Sequence, residues 1–240
     1  MNIILFDKLS STNHIDAEDS RARHIKKVLR LNIGEEFSVG IINGPKGKAT
    51  LTSYENGVDF TFIPVDTTSS FLYPVTLMVS QVRPICMKRI LREAVSLGVE
   101  RIVINGADLS EKSYAQASLY TTGAYKQHLL EGAMQAAQTG VSEVLITKNL
   151  DQALRLFSPG KERLIMLDNV IGAHPLSTLE KGESQRVILA IGPERGYSER
   201  ERKLLVEKGF SPMSLGRRVL RTETACSAGL AVLLGRLGYL

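Results

Sequence analysis

The sequence predicts an α/β protein in two parts: a small amino-terminal β-barrel, followed by a larger domain built on a largely parallel sheet. Three observations predict it. Short apolar strands separated by Gly, Pro and Asn turns fill the first seventy residues. From residue 74 apolar runs alternate with helical stretches, the rhythm of strands joined by crossover helices. The chain has 240 residues, 43% of them hydrophobic, enough for a small core beside a medium one.

In the first part the expected strands are "NIILF", "EFSVGIING", "KATLTSYE" and "VDFTFIPV". One helix interrupts them, capped by Asp19 or Ser20 and running through "RARHIKKVLRL". At helical spacing Ala22, Ile25, Val28 and Leu29 share an apolar face, while Arg23, Lys26, Lys27 and Arg30 share a cationic one. Arg21 and His24 extend the positive region. The polar stretch "VDTTSS", 65–70, is the expected linker, so the domains are 1–70 and 71–240. In the second part the expected strands are "VTLMVSQV", "RIVING", "EVLIT", "RLIML" and "RVILAIG". Helices are expected near 84–97, 121–138, 149–157, 198–208 and 221–237. Ligands of such sheets sit beyond the carboxyl ends of the strands, which directs attention to the segments after "LIML", "ILAIG" and "MSLG".

Composition and motifs exclude several classes. The net charge of +5 makes an anionic partner plausible, nucleic acid before a membrane surface. Cys86 and Cys226 are far apart and the four histidines are scattered, so neither zinc nor a disulfide is expected. The apolar start Ile3–Phe6 is too short for a secretory signal and no run approaches a membrane span, so a cytoplasmic location is expected. "GPKGKAT" is not a phosphate loop, because Ile42 stands where its first glycine belongs and Ala49 follows the lysine; it is expected to be a hairpin turn. No G-x-G-x-x-G follows a strand, which disfavours ordinary Rossmann binding of a dinucleotide.

Two segments remain. In "ILAIGPERGYSERE" Ser198 and Glu201 form a capping box for the next helix, which assigns Glu201 to structure and leaves Glu194 without an explanation. In "SLGRRVLRTETA" Thr222 can cap the last helix with Glu223 in its first turn. Capping does not account for Arg221, since a cation near a helix amino terminus is unfavourable unless something anionic compensates it.

These segments together resemble one family. "GPERGYSERE" is similar to its GPEGG-F-S-x-x-E segment, "LGRRVLRTETA" to LG-x-R-I-L-R-x-ETA, "SLGVERI" to ELGV-x-x-I, and "RHIKKVLRLNIGEEF" to H-x-x-x-VLR-x-x-x-G-[DE]. The family is ribosomal RNA small subunit methyltransferase E, of the SPOUT class. The resemblance implies a PUA-like β-barrel, a carboxyl-terminal α/β domain with a trefoil knot, and a homodimer. It implies S-adenosyl-L-methionine as cofactor and methylation of N3 of a uridine in 16S ribosomal RNA of the small ribosomal subunit. Another RNA target, or a non-catalytic ribosome-binding role on the same scaffold, are the alternatives. The cofactor residues implied are Leu167 and Asp168; Ala190, Ile191, Gly192, Pro193, Glu194 and Gly196; and Ser214, Leu215, Gly216, Arg218, Val219 and Leu220. Arg221 is the candidate to stabilise a uracil anion, Glu223 to take the proton or orient Arg221, and Arg218 to support the loop or touch RNA. No metal is required.

The chain departs from the family pattern at several points. Arg195 replaces the second glycine of GPEGG, Glu93 and Ser96 replace a lysine and a glutamate of Q-K-A-T-E-L-G, and "MQAAQTG" keeps Gln135 of E-Q-S-x-R but loses its arginine. The expected RNA contacts are Arg21, Arg23, His24, Lys26, Lys27, Arg30, Arg83 and Arg195, the last as a partial replacement for a lost cation.

Overall fold

The computed structural model describes residues 2–66, 71–158, 160–180 and 186–240. Most of the expected linker, 67–70, lies outside them. The chain divides into two compact units, one of residues 1–71 with 133–141 and the other of 72–132 with 142–240.

The first unit is a five-stranded sheet in the order β1-β3-β4-β5-β2. Its strands are β1 Ile4–Phe6, β2 Thr12–Asp16, β3 Glu36–Ile41, β4 Lys46–Ser53 and β5 Gly57–Asp66. β1 pairs with β3 in parallel and the remaining pairs are antiparallel. Alternation places Phe37 and Val39, Ala49 and Leu51, and Val58 and Phe60 in one core with Ile4, Phe6 and Ile15. Phe60 is central, its ring 5.5 Å from those of Phe6 and Phe37. The stretch 44–50 runs from the β3–β4 turn into β4, as a hairpin should. β2 was not foreseen because it is an edge strand in which only Ile15 is buried.

The interrupting helix begins as α1, Ser20–His24, with Asp19 as its cap accepting from the Arg21 amide. It then widens into a π-helical turn, Ile25–Leu29, closed by Arg30 in the left-handed region. The wider turn breaks the 3.6-residue spacing on which the apolar face was drawn. Ile25 stays buried, but Val28 is 64% exposed, which corrects its expected burial.

Residues 133–141 complete this unit although they lie far along the chain. The amide of Asn2 donates to the Met134 carbonyl (3.1 Å), the Thr139 hydroxyl to the Gly44 carbonyl (2.7 Å), and the Val141 amide to Asn43 Oδ1 (2.8 Å). A domain division at 70/71 has no place for this excursion. A segment that contributes mainly backbone and polar hydrogen bonds carries no hydropathy signal of where it docks.

The second unit is a seven-stranded parallel sheet in the order β10-β12-β9-β11-β6-β7-β8. Its strands are β6 Tyr73–Ser80, β7 Val99–Asn105, β8 Glu143–Thr147, β9 Arg163–Leu167, β10 His174–Pro175, β11 Val187–Ile191 and β12 Ser211–Ser214. The central strand β11 is buried at every residue, as a strand covered on both faces must be. Two-residue β10 lies at the edge of the sheet beside the Pro212-containing β12, and its exposed two-residue sequence hid it. The helices are α2 Pro84–Ser96, α3 Ser118–Thr121, α4 Tyr125–Gln135, α5 Leu150–Leu154, α6 Glu199–Glu207 and α7 Thr222–Leu237. α2 buries Met87, Ile90, Leu91, Ala94 and Val95, and α7 buries Cys226, Gly229, Leu230, Leu233 and Leu234, both at helical spacing. α7 ends at Gly238 in the left-handed region (φ 81°), the usual glycine stop.

Candidate active site

Three loops leave the carboxyl ends of β9, β11 and β12 and enclose a cavity of about 300 Å³. Leu167, Asp168 and Asn169 line it from the first loop, Ile191 to Tyr197 from the second, and Ser214, Leu215, Gly216, Arg218, Val219 and Leu220 from the third. Thr222 and Ala225 of α7 complete it. Every implied cofactor residue therefore meets at one cavity except Ala190. That residue is wholly buried, in one core with Met78 and Met166, so its side chain does not line the cavity.

Asp168 lines the cavity with its carboxylate already engaged. Oδ1 accepts from the amides of Val170 (2.7 Å) and Ile171 (3.0 Å), and Oδ2 pairs with Arg202 Nε at 2.9 Å. It is the staple that shapes the first loop and ties it to α6. Gly172 lets that loop cross β12, since a Cβ there would stand 2.2 Å from the Asp168 carbonyl oxygen and 2.6 Å from that of Met213.

A larger cavity of about 670 Å³ adjoins the first. The two share Glu194, Arg195, Val219, Leu220 and Thr222 as a common wall. Arg221 and Glu223 line only the larger one, together with Arg83 and Cys86 from the start of α2 and with Tyr114 and residues 108–111 from the segment after β7. Arg218 lines only the smaller cavity. The residues the sequence reading grouped as catalytic are thus divided by the wall.

Glu194 has the structural task that the sequence did not reveal: its Oε1 accepts from the Arg83 amide at 2.9 Å, holding the second loop to the α2 terminus. Glu201 is fully buried and completes the capping box with Ser198. Its other oxygen accepts from the Asp108 amide at 2.9 Å, so one carboxylate fixes both α6 and the rim of the larger cavity. Asp108 in turn receives Arg200 (2.8 Å) and the Ser198 hydroxyl (2.6 Å), which hold its carboxyl below the usual range.

α7 begins differently from the expectation. Its cap position is Arg221, in extended geometry and without a side-chain cap bond, while Thr222 is buried inside the first turn and Glu223 sits beside it. Its first amides are left for other partners. Arg217, Arg218 and Arg221 are exposed, and none makes a side-chain hydrogen bond or salt bridge among the described residues. Burial, with Glu223 adding to it, pushes the Cys86 thiol up, so it stays protonated beside that carboxylate.

In the first unit the cationic residues are unequal. Arg23, Lys26, Lys27 and Arg30 are exposed. Lys26 lies over the Tyr54 ring, 5.5 Å from its centre. Arg21 is held by Asp19 (2.6 Å), donates to the Leu5 carbonyl and covers the Phe6 ring, so its guanidinium is largely spent on the unit itself. The His24 Nε2 is buried without a partner, and burial lowers its pKa; the ring is neutral near pH 7 and does not extend the positive region.

Among the described residues no group of three or more His, Cys, Asp or Glu could hold a metal ion, and no helix is long and apolar enough to cross a membrane.

The fold and the paired cavities define a class. Residues 69–234 match the family model described as an RNA methyltransferase domain, and residues 17–62 match the RNA methyltransferase PUA domain. Ribosomal RNA small subunit methyltransferase E of Treponema pallidum is 34% identical over 98% of this chain and 91% of its own length. The corresponding protein 1 of Borreliella burgdorferi is 29% identical over 99% of both. A crystal structure of ribosomal RNA small subunit methyltransferase E from Neisseria gonorrhoeae, bound to S-adenosyl methionine, shares the fold with a TM-score of 0.81 at 24% identity, covering 98% of this chain and 97% of that one. The chain belongs to the ribosomal RNA small subunit methyltransferase E family.

Proposed function

We propose that this protein transfers a methyl group from S-adenosyl-L-methionine to N3 of a uridine in 16S ribosomal RNA of the small ribosomal subunit. The observation that carries the reading is the pair of cavities sharing a wall, with Arg221 and Glu223 on one side only. The smaller cavity suits the donor. Backbone from three loops surrounds it, Leu167, Ile191 and Leu215 give it apolar walls, and its volume matches a small-molecule site. When bound, the donor supplies an electrophilic methyl group.

The larger cavity takes the base. Uracil N3 bears a weakly acidic proton, which must leave before or as the nitrogen attacks, so negative charge spreads onto O2 and O4. The Arg221 guanidinium, unpaired and exposed in that cavity, offsets that charge. Groups in this role contribute about 100- to 1000-fold in rate. Glu223 is placed to accept the N3 proton, and the protonated Cys86 thiol beside it keeps a donor on that carboxylate. Arg218, on the donor side of the wall, supports the loop. The shared wall sets the approach of nitrogen to methyl, and positioning of this kind needs no covalent intermediate.

Arg195 lines both cavities and supplies a cation for RNA beside Arg83. Arg23, Lys26, Lys27 and Arg30 supply phosphate contacts from the first unit. The protein works as a homodimer in this reading, and α7 offers a surface for it, since Ala231 and Gly235 of this largely apolar helix are exposed. The protein acts in the cytoplasm, where its substrate is assembled. The test is transfer of isotopically labelled methyl to small subunits that lack the modification, followed by nucleoside mapping. Label in a single 3-methyluridine supports the reading, and label elsewhere or none refutes it.

A further inference from the structure

The 3-10 turn Lys112–Gln116 that follows α2 and β7 is exposed at every residue except Tyr114. A half-buried aromatic ring on such a turn is held by something outside it. Part of the answer is Arg83, which lines the same cavity and whose guanidinium lies near enough to the Tyr114 hydroxyl for the two to interact. The rest is the larger cavity, which Tyr114 lines together with Leu109, Val219 and Leu220. Val219 is 79% exposed and Leu220 36%, so two apolar side chains stand uncovered in a cavity that also carries Arg83, Arg195 and Arg221. A flat π-face, apolar groups and several guanidinium groups in one concavity form the combination that holds an unstacked nucleotide: the ring takes the base and the cations take its phosphates. The volume of about 670 Å³ leaves room beyond the base ring for the sugar and phosphate.

We propose that Tyr114 is the platform on which the extruded target uridine stacks, with Val219 and Leu220 against the base from the shared wall and Arg83 beside the ring. Tyr114 is then a substrate-positioning residue, and its placement in the larger cavity gives the base a fixed plane from which N3 reaches the wall. This rests on the reading of the two cavities as donor and base sites. It also explains why the target must be a base that can leave its stack, as enzymes acting on a base require.

The test uses the full-length protein and unmethylated small ribosomal subunits. Tyr114→Leu and Tyr114→Ala should raise KM for the subunit roughly tenfold to a hundredfold, the loss expected for one base–aromatic stack. Tyr114→Phe keeps the π-face and should stay within about threefold of the wild type. All three should bind S-adenosyl-L-methionine as the wild type does, by calorimetry. Wild-type protein that binds no donor defeats the two-cavity reading, and this inference with it. Variants that bind the donor normally yet keep the wild-type KM overturn the platform alone. A Phe variant as impaired as the Leu variant overturns it too, because the hydroxyl rather than the π-face would then be the part that matters. If the Ala variant fails to fold, the Phe and Leu pair decides the question.

Discussion

Arg21 to Arg30 in the first unit and Arg217 to Arg221 in the second are comparable as strings of letters, each crowded with cations beside apolar residues. The structure treats them differently. In the first segment Arg21 is tied to Asp19, Lys26 covers Tyr54, and the half-buried His24 ring, its Nε2 buried, is neutral. In the second, all three guanidinium groups are exposed and unpaired among the described residues, on a loop whose neighbours enclose two cavities. On the helix, Arg21 and Lys26 find partners within their own unit, a carboxylate and a ring, while Arg23, Lys27 and Arg30 stay exposed. Among the described residues the three on the loop between β12 and α7 find none, and their charge is left for a ligand. The comparison teaches that density of charge is a poor guide to availability of charge.

The sharpest way to break the comparison is Arg221→Ala. If the unpaired guanidinium stabilises charge on the base, kcat should fall about 100- to 1000-fold in methyl transfer to unmethylated subunits. A loss under tenfold would make this segment no more active than the first.

A second variant probes the frame of the site. Glu201→Gln replaces one acceptor of a fully buried carboxylate that receives the amides of Ser198 and Asp108. One of these amides is left unpaired, which should cost about 1–3 kcal/mol in denaturant unfolding. No measurable loss would mean that the buried bonds can be replaced.

The charged stripe gives a smaller and more graded effect. Neutralising Arg23, Lys26 and Lys27 together should lower the salt slope of RNA binding by about 2 rather than about 3, because Lys26 is partly committed to Tyr54. A full loss of about 3 would show Lys26 to be as available as its neighbours.

His24 gives the smallest effect. Burial sets its folded pKa below its unfolded one, near 6.5, so protonation favours the unfolded chain. Stability is therefore full above that value, falls as pH drops below it, and levels off once the folded ring also protonates. Thermal midpoints of wild type and His24→Gln should converge as pH falls through this window. A constant difference would mean that the ring is not buried in its neutral form.

Much of this was legible from the sequence, and the misses have physical causes. The parallel sheet, α2, α6 and α7 follow from periodicity, because strands covered on both faces and helices with one buried face leave clear patterns. β2 and β10 lie at sheet edges and bury little, so hydropathy is silent about them. The π-turn at Ile25–Leu29 could not be seen, since spacing arguments assume a regular α-helix. The three loops of the smaller cavity were reached through strand ends and motif resemblance. The larger cavity was missed as a unit: Cys86, Leu109 and Tyr114 belong to no motif and meet only through the parallel neighbours β6 and β7. The rule that pointed beyond β9, β11 and β12 also applied to β7, and following it would have led to residues 106–114.

The account turns on a division of labour across one wall. Calorimetric titration of S-adenosyl-L-methionine into wild type, Arg221→Ala and Gly172→Ala tests it most directly. Gly172→Ala forces a Cβ against two carbonyl oxygens in the loop that lines the smaller cavity and should weaken the donor about fivefold to a hundredfold, for a strain of about 1–3 kcal/mol. Arg221→Ala should bind it as tightly as the wild type does. Donor affinity lost with Arg221 and retained with Gly172→Ala would contradict the assignment of the two cavities.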